Sequence, residues 1–104
     1  MSILTQQQRV LIEEILQAYI PHCRVIAFGS RVSGDTKPFS DLDLAVYSSP
    51  PLSLVNVGML KEAFSESNLP FRVDVVDMNT VSDEFRRVIE NQYETIQSKN
   101  ASTL

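Results

Sequence analysis

Apolar residues near the start of the chain recur at a spacing of three and four positions. This stripe covers residues 11–20 and predicts an amphipathic helix. Thr5, followed three positions later by Gln8, forms the pattern of a capping box and predicts where the helix begins. Pro21 is expected to end it, because proline cannot donate the backbone hydrogen bond that a further helical turn needs.

Two short apolar segments follow, and both are typical of strands. The first, RVIAFG, predicts a buried strand over residues 25–28 that ends at Gly29, with a short helical turn and a loop over residues 30–40. The second, DLDLAVY, predicts a strand whose successive side chains point to opposite faces. One face takes Asp41, Asp43 and Ala45, and the other takes Leu42, Leu44 and Val46.

The second half of the chain repeats this alternation of helix and strand. A cluster of serines and prolines over residues 48–51 ends the second strand, and a helix is then predicted from Leu54, Val57, Leu60 or Lys61, and Phe64. The segment FRVDVVDM predicts a third strand, and a last helix is expected to begin at residues 80–82. That helix is expected to turn Phe85, Val88, Ile89 and Ile96 inward, before a flexible polar tail over residues 97–104.

The resulting order is helix, strand, strand, helix, strand, helix. Two strands adjacent in sequence and a third reached through a helix predict an α+β fold, with a small mixed β-sheet of three or more strands covered by helices. A length of 104 residues is expected to form a single domain, residues 1–104.

Composition and charge exclude several classes of function. With 43% apolar and 21% charged residues the chain is globular in type, and it carries a net charge of −4. This charge argues against a surface that follows nucleic-acid phosphates, so direct nucleic-acid binding is not expected. The single cysteine, Cys23, excludes an intrachain disulfide and a cysteine-based zinc site. Since no signal peptide or membrane-spanning run is visible, we expect a cytoplasmic protein.

The segment after the first strand nearly matches a phosphate-binding P-loop, but two residues argue against that interpretation. Gly29 and Gly34 have the required separation, whereas Asp35 stands where the P-loop lysine would be and would repel a phosphate. Pro38 would also interrupt the long helix that such a loop must begin.

A glycine, a serine and two aspartates favour a different phosphate site. Gly29 after a strand lets backbone N–H groups approach an anion, and Ser30 adds a hydroxyl donor. Asp41 and Asp43 are two positions apart on one strand, which separates their side chains by about 7 Å. Two carboxylates about 4 Å apart repel by about 4 kcal/mol at an effective dielectric constant of 20, and a hard cation such as Mg²⁺ reverses the sign. The pattern therefore predicts a site for a metal–nucleoside triphosphate.

The third strand offers a further carboxylate for this site. Asp74 lies between Val73 and Val75 in mid-strand, where an unpaired carboxylate would be costly. Asp77 is near the strand end, where it can be solvated or cap the next segment. We therefore favour Asp74 over Asp77 as the third ligand.

These residues together resemble a known signature. Gly29-Ser30, ten residues, and then Asp41-Leu42-Asp43 is similar to the motif of the DNA polymerase β-like nucleotidyltransferase superfamily. Within it, GSRVSG and SDLDLAV at this chain length resemble the minimal nucleotidyltransferases (MNT), the antitoxin partners of HEPN-domain toxins. The resemblance runs from the first helix to the last. It implies the nucleotidyltransferase fold, ATP as the substrate and Mg²⁺ as the cofactor, with two ions bound.

The resemblance also implies roles for single residues. Asp41, Asp43 and Asp74 would be the catalytic carboxylates and metal ligands, with Asp74 the base. Gly29 and Ser30 would hold the triphosphate. The arginine that often follows Gly-Ser in the small family members corresponds to Arg31, which would reach a phosphate.

The implied reaction is transfer of AMP from ATP to a tyrosine hydroxyl of a cognate HEPN toxin, which silences the toxin within a hetero-oligomer. Larger relatives carry added segments that bind an acceptor, and no such segment is visible here. Two alternatives stay open: the same chemistry on a small-molecule or RNA acceptor, and a non-catalytic module that neutralises a toxin by binding alone.

Overall fold

The computed structural model describes residues 4–34 and 41–98. Within them the chain forms four α-helices, one 3₁₀ turn and four strands. In chain order these are α1 (Gln6–Tyr19), β1 (Arg24–Phe28), α2 (Ser30–Ser33), β2 (Leu42–Tyr47), α3 (Leu54–Ser65), β3 (Val73–Asp77), the 3₁₀ turn (Met78–Thr80), α4 (Asp83–Asn91) and β4 (Glu94–Gln97). The predicted order is confirmed as far as the last helix, and β4 is an addition.

The four strands form one mixed sheet in the order β3-β2-β1-β4. Strand β1 runs antiparallel to β2 and β4, whereas β2 and β3 are parallel. This confirms the predicted fold class. The register places Phe28 opposite Asp43, and Asp43 opposite Asp74. Because directly opposed residues in neighbouring strands project to the same side, these three side chains share one face of the sheet.

The two faces of the sheet are covered differently. We call the face that carries Asp43 the front face and the other the back face. The back face packs against α1 and α3, and residues from these helices and from all four strands form the larger core cluster. On the front face a smaller cluster forms where the 3₁₀ turn and α4 cover the sheet; its buried members are Ile26, Phe28, Ala45, Met78 and Ile89. Asp43 is half-buried and belongs to neither cluster, so within the described residues the front face is open at the end where Asp43 lies.

Three helices begin with a capping side chain. Gln8 N donates to Thr5 Oγ1 at 3.1 Å and Thr5 N donates to Gln8 Oε1 at 3.0 Å, which confirms the predicted capping box. Ser53 caps α3 and Ser82 caps α4, with distances of 3.0 and 3.1 Å from Oγ to the bonded backbone nitrogen. Each cap stabilises its helix by about 1 kcal/mol. The start predicted for the last helix is therefore confirmed.

The end of the chain differs from the prediction. Helix α4 ends at Asn91, and Ile96 is buried on β4 instead of on a helix. Gln97 does not belong to a tail, because its side chain is buried and its Nε2 donates to Ile20 O at 2.9 Å and to Cys23 O at 2.8 Å. Residues 99–104 of the predicted tail lie outside the described residues. Helical spacing from Ile89 to Ile96 misled the prediction, since a strand of four residues is too short to show alternation.

Two residues of α4 that were predicted to face inward are exposed. Phe85 is 41% exposed and Val88 is 65% exposed, so Ile89 alone is buried from this helix. Leu54 on α3, also assigned to an apolar stripe, is 90% exposed. A short helix buries only the side chains that point directly at the sheet. No helix in the described ranges is long and apolar enough to cross a membrane.

Candidate active site

Gly29 forms a sharp turn directly after β1. Its φ of +88° lies in the left-handed region that L-residues with side chains rarely adopt. A Cβ atom at this position would overlap the carboxylate of Asp43. Both the conformation and the close approach therefore require glycine. The turn brings the backbone of the glycine–serine segment against the first carboxylate of the candidate site.

Asp43 and Asp74 project from neighbouring parallel strands on the front face. Burial raises the pKa of Asp43 above its usual value, and the charges of Asp74 and then Asp41 raise it further. Asp74 and Asp41 therefore lie close enough to Asp43 for their charges to disfavour its ionised form. Asp43 and Asp74 are register partners, and Asp41 lies two positions before Asp43 in the sequence.

Asp41 differs from its predicted position in one respect. Strand β2 begins at Leu42, so Asp41 precedes the strand and is exposed, instead of sharing the regular alternation with Asp43. The remaining alternation is confirmed, because Leu42, Leu44 and Val46 are fully buried on the back face. A residue in front of a strand is less constrained in direction than one within it.

Asp74 has a basic neighbour two positions earlier in the chain, in front of β3. Arg72 Nε lies 3.8 Å from Asp74 Oδ1, and the two side chains are 77% and 44% exposed. An ion pair this long and this exposed contributes little to stability. The desolvation cost expected for an unpaired carboxylate in mid-strand is thus reduced in two ways, because Asp74 is half exposed and also faces the Arg72 guanidinium.

The oxygen atoms of the candidate site are of the type that a hard cation binds. Asp41, Asp43 and Asp74 offer only carboxylate oxygens, which Mg²⁺ prefers. Burial, followed by the charges of Asp74 and Asp41, raises the pKa of Asp43. Within residues 4–34 and 41–98, however, no three Asp, Glu, His or Cys side chains are gathered around one point as a metal-binding group. The type of ligand atom therefore fits Mg²⁺, but the side chains are not arranged around a single metal position.

Arg31 is positioned by an aromatic ring from a distant part of the chain. Its guanidinium carbon lies 4.3 Å from the centroid of the Phe71 ring, and Phe71 is 7% exposed. This cation–π contact is worth about 0.5–2 kcal/mol. Ser30 begins α2 and is exposed. Gly29, Ser30 and Arg31 therefore form a continuous segment beside Asp43, with its last residue held against the chain that leads into β3.

Asp77 does not take part in this site. Its Oδ2 accepts a hydrogen bond from Leu52 N at 3.0 Å, and its Oδ1 accepts bonds from the backbone and side-chain nitrogens of Asn79, both at 2.9 Å. The side chain is buried, and Asp77 pairs with Val46, a back-face residue. It caps the 3₁₀ turn, which is one of the two roles anticipated from its place at the strand end.

Sequence reasoning missed three residues that border the carboxylates. Arg72 stands two positions before Asp74, directly in front of β3, so period-two spacing in the predicted strand could have found it. Phe28, the register partner of Asp43, was seen only as the end of a strand. The contact of Phe71 with Arg31 had no signal in the sequence, because 40 positions separate the two residues.

Two cavities differ in their relation to the site. One of about 460 Å³ reaches Asp74 and is lined by Lys61, Phe71 and Arg72 among others. A larger one, of about 590 Å³, lies where β1 begins and β2 ends and includes Tyr47 and Arg24. The larger cavity is at the opposite end of the sheet from Asp43, so its size does not make it the candidate active site.

A glycine–serine turn against paired carboxylates on a mixed sheet defines a nucleotidyltransferase site. Residues 10–102 match the family described as Polymerase beta, Nucleotidyltransferase, and the chain belongs to this family. It is 47% identical over 96 residues to the probable protein adenylyltransferase MntA of Haemophilus influenzae, covering 92% of this chain and 84% of the relative. The chain is therefore a nucleotidyltransferase.

Solved structures show the same fold. A toxin–antitoxin crystal structure with AMP-PNP has a TM-score of 0.74 at 25% identity, over 86% of this chain and 73% of that one. A minimal nucleotidyltransferase has a TM-score of 0.67 at 28% identity, over 89% and 94% of the two chains. A further similar structure is a complex of a HEPN toxin with an MNT antitoxin from Shewanella oneidensis; at 23% identity it shows the fold alone.

Proposed function

We propose that this protein transfers AMP from ATP to a tyrosine hydroxyl of a cognate HEPN toxin and thereby acts as its antitoxin in the cytoplasm. The observation that carries the proposal is the contact between the Gly29 turn and Asp43, with Asp74 on the neighbouring strand. A phosphate-binding turn and paired carboxylates meet there. The similarity to a probable protein adenylyltransferase supports a protein acceptor, and the toxin–antitoxin complex with an ATP analogue supports the nucleotide.

The nucleotide is held at the end of β1. The backbone at Gly29 and the hydroxyl of Ser30 bind the β- and γ-phosphates, and Arg31, held by Phe71, binds a phosphate oxygen. This places the α-phosphate beside Asp43. Asp41, Asp43 and Asp74 are the oxygen ligands of Mg²⁺, of which two ions are proposed. When bound, Mg²⁺ neutralises these carboxylates and the charge that develops on the phosphate oxygens.

Asp74 acts at the acceptor side of the reaction. The acceptor hydroxyl oxygen attacks the α-phosphorus, and the bond from that phosphorus to the oxygen bridging to the β-phosphate breaks. Pyrophosphate leaves, and the hydroxyl proton passes to the Asp74 carboxylate. Arg72, which faces Asp74 in this structure, offsets the negative charge there. Positioning and charge stabilisation supply most of the rate acceleration.

The acceptor is a protein and not a nucleic acid in this proposal. With a net charge of −4, the chain lacks the basic surface that would follow a phosphate backbone. The toxin therefore has to present its tyrosine to the open end of the front face. This arrangement gives a hetero-oligomer of toxin and antitoxin.

The test uses the purified partner encoded next to this protein. Partner, ATP and Mg²⁺ are incubated with catalytic amounts of this protein, and the intact mass of the partner is measured. We expect many turnovers, label retained from the α-phosphate and not from the γ-phosphate, and no label on the partner's tyrosine-to-phenylalanine variant. Stoichiometric inhibition without ATP and without a mass change would establish a binding module instead. Label found only on a small molecule or RNA would establish another acceptor.

A further inference from the structure

Helix α4 crosses the front face with one side turned away from the carboxylates. On that side Tyr47 Oη donates a hydrogen bond of 2.5 Å to Glu90 Oε2. The guanidinium carbon of Arg86 lies 6.0 Å from the centroid of the Tyr47 ring. Tyr47 is the last residue of β2, whereas Asp43 is near its start. Glu90 and Arg86 therefore mark the side of α4 that is remote from the candidate site.

The other side of α4 faces the candidate site. The ring centroids of Phe85 and Phe28 are 6.0 Å apart, and Phe28 directly precedes Gly29 and pairs with Asp43. Gln92 Nε2 donates to Val32 O in α2 at 3.3 Å, so the C-terminal end of α4 is tied to the segment that follows Gly29. Two contacts thus orient this side of the helix toward the phosphate-binding turn.

Phe85 presents an unusual surface in this position. It is 41% exposed, although it is a large apolar side chain beside a polar site. Its ring meets the buried ring of Phe28 at an interplanar angle of 80°, which is the edge-to-face arrangement that aromatic pairs favour. Phe28 therefore fixes the ring of Phe85 without covering it. The result is an aromatic surface of defined orientation at the edge of the nucleotide site.

The order of the strands determines whether the acceptor or the nucleotide lies next to the Phe85 ring. Asp74 on β3 and Phe28 on β1 flank Asp43 from opposite sides. The proposed acceptor hydroxyl lies on the Asp74 side, and the pyrophosphate leaves on the Gly29 side, in line with it. The nucleoside is attached to the same phosphorus, and it projects sideways from the line that joins the attacking and leaving oxygens. Since the sheet fills the space below, the nucleoside lies above the front face, where α4 forms the border.

We propose that the Phe85 ring stacks on the base of the bound nucleoside triphosphate. This stacking adds to the free energy of binding that the phosphate contacts provide. This inference rests on the proposed function, because it takes the phosphates to lie at the Gly29 turn. Base–aromatic stacking is worth about 1–3 kcal/mol per base. Removal of the ring is thus expected to weaken nucleotide binding about 5- to 150-fold.

Titration with two different ligands distinguishes the contribution of the base from that of the phosphates. Calorimetric titration in Mg²⁺ would compare ATP with inorganic tripolyphosphate, which has the phosphates and no base. For Phe85→Ala we expect the dissociation constant of ATP to rise about 5- to 150-fold, with that of tripolyphosphate unchanged. Phe85→Tyr should bind ATP as the wild type does, whereas Phe85→Leu, which keeps apolar bulk without a π surface, should resemble Phe85→Ala. Leu54→Ala is the matched control, because it removes an exposed apolar side chain from α3.

Each other outcome overturns the inference in a recognisable way. Unchanged ATP affinity in Phe85→Ala, with a raised KM for the protein acceptor, would make this surface a docking site for the partner. Equal losses for ATP and tripolyphosphate would show a displaced site instead of a lost stacking contact. A wild-type protein that binds neither ligand contradicts the proposed function itself and the inference with it. Tripolyphosphate binding by the wild type therefore tells the two failures apart.

Discussion

Asp43 and Asp74 are direct register partners in the parallel pairing of β2 and β3. Neighbouring strands lie about 4.8 Å apart, so this pairing sets two carboxylates side by side on the front face. Like charges at this separation destabilise the isolated sheet, and burial of Asp43 adds to the cost. A cation bound between the two strands offsets both the repulsion between the carboxylates and the cost of burying Asp43. This is the physical reason to connect the pair with metal binding.

Loss of either carboxylate should abolish transfer without unfolding the protein. In Asp43→Asn and Asp74→Asn we expect the rate of AMP transfer to fall at least about a hundredfold, with the double variant no worse than either single one, because the ligands act as a unit. The thermal midpoint should stay unchanged or rise, since each change relieves repulsion. Labelling of the partner from α-labelled ATP measures transfer, and circular dichroism measures the midpoint.

Asp77→Asn is the matched control for these carboxylate variants. The two carboxylate oxygens of Asp77 accept three hydrogen bonds from Leu52 and Asn79. Asparagine keeps one of these oxygens and replaces the other by an amide nitrogen that cannot accept, so the free energy of unfolding should fall by about 1–3 kcal/mol. The folded fraction should retain most of the activity. Wild-type transfer by a well-folded Asp43→Asn protein would refute the assignment of the site.

The two glycines with positive φ make a second matched pair. Gly29 and Gly34 have φ of +88° and +97°, so alanine at either position costs about 1–2 kcal/mol of conformational energy. Among the described residues, the added Cβ overlaps a side chain at Gly29, the Asp43 carboxylate, whereas no described atom lies within 4 Å of it at Gly34. Gly29→Ala should therefore lose ATP binding and transfer, whereas Gly34→Ala should lose stability alone. Chemical denaturation and calorimetric titration separate the two effects, and equal ATP affinity in both variants would contradict this account.

Local patterns in the sequence predicted the parts of the structure that depend on local physics. The capping box at Thr5, the strand before Gly29 and the alternation that separates Asp43 from Leu44 all follow from spacing alone. The family signature selected Asp43 and Asp74, which the register places opposite each other on neighbouring strands. The position of Asp41 differed from the prediction, because a residue in front of a strand has no alternation to fix its direction.

The remaining features depend on contacts between distant positions. Strand β4 exists because it pairs with β1, and four residues are too few to show a strand period. The exposure of Phe85 follows from the way α4 crosses the sheet with Ile89 beneath it. Arg31 meets Phe71 only after β3 has joined β2. None of these relations has a signal at short range in the sequence.

Stability at high pH should depend on Tyr47. Burial, followed by the hydrogen bond to Glu90 and the charge of that residue, raises the pKa of Tyr47 to about 12 from its usual value of 10.0. The neutral hydroxyl is thus favoured in the folded protein. Its contribution to stability is complete below pH 10 and is lost as the pH rises toward 12. In Tyr47→Phe the fall in the free energy of unfolding between these two values should be smaller than in the wild type. Urea denaturation at several pH values checks this, and identical slopes would contradict it.

ATP binding by the isolated protein should require a divalent cation. Asp41, Asp43 and Asp74 place negative charge beside the proposed α-phosphate position, so a triphosphate without metal meets repulsion that Arg31 and Arg72 only partly offset. We expect calorimetric titration to show binding in Mg²⁺ or Mn²⁺ and none with chelator. In Asp43→Asn the difference between the two conditions should shrink, because one source of repulsion and one metal ligand are lost together. Equal ATP affinity in the wild type with and without chelator would refute the carboxylate metal site, since nothing else in the proposed mechanism makes phosphate binding depend on a metal.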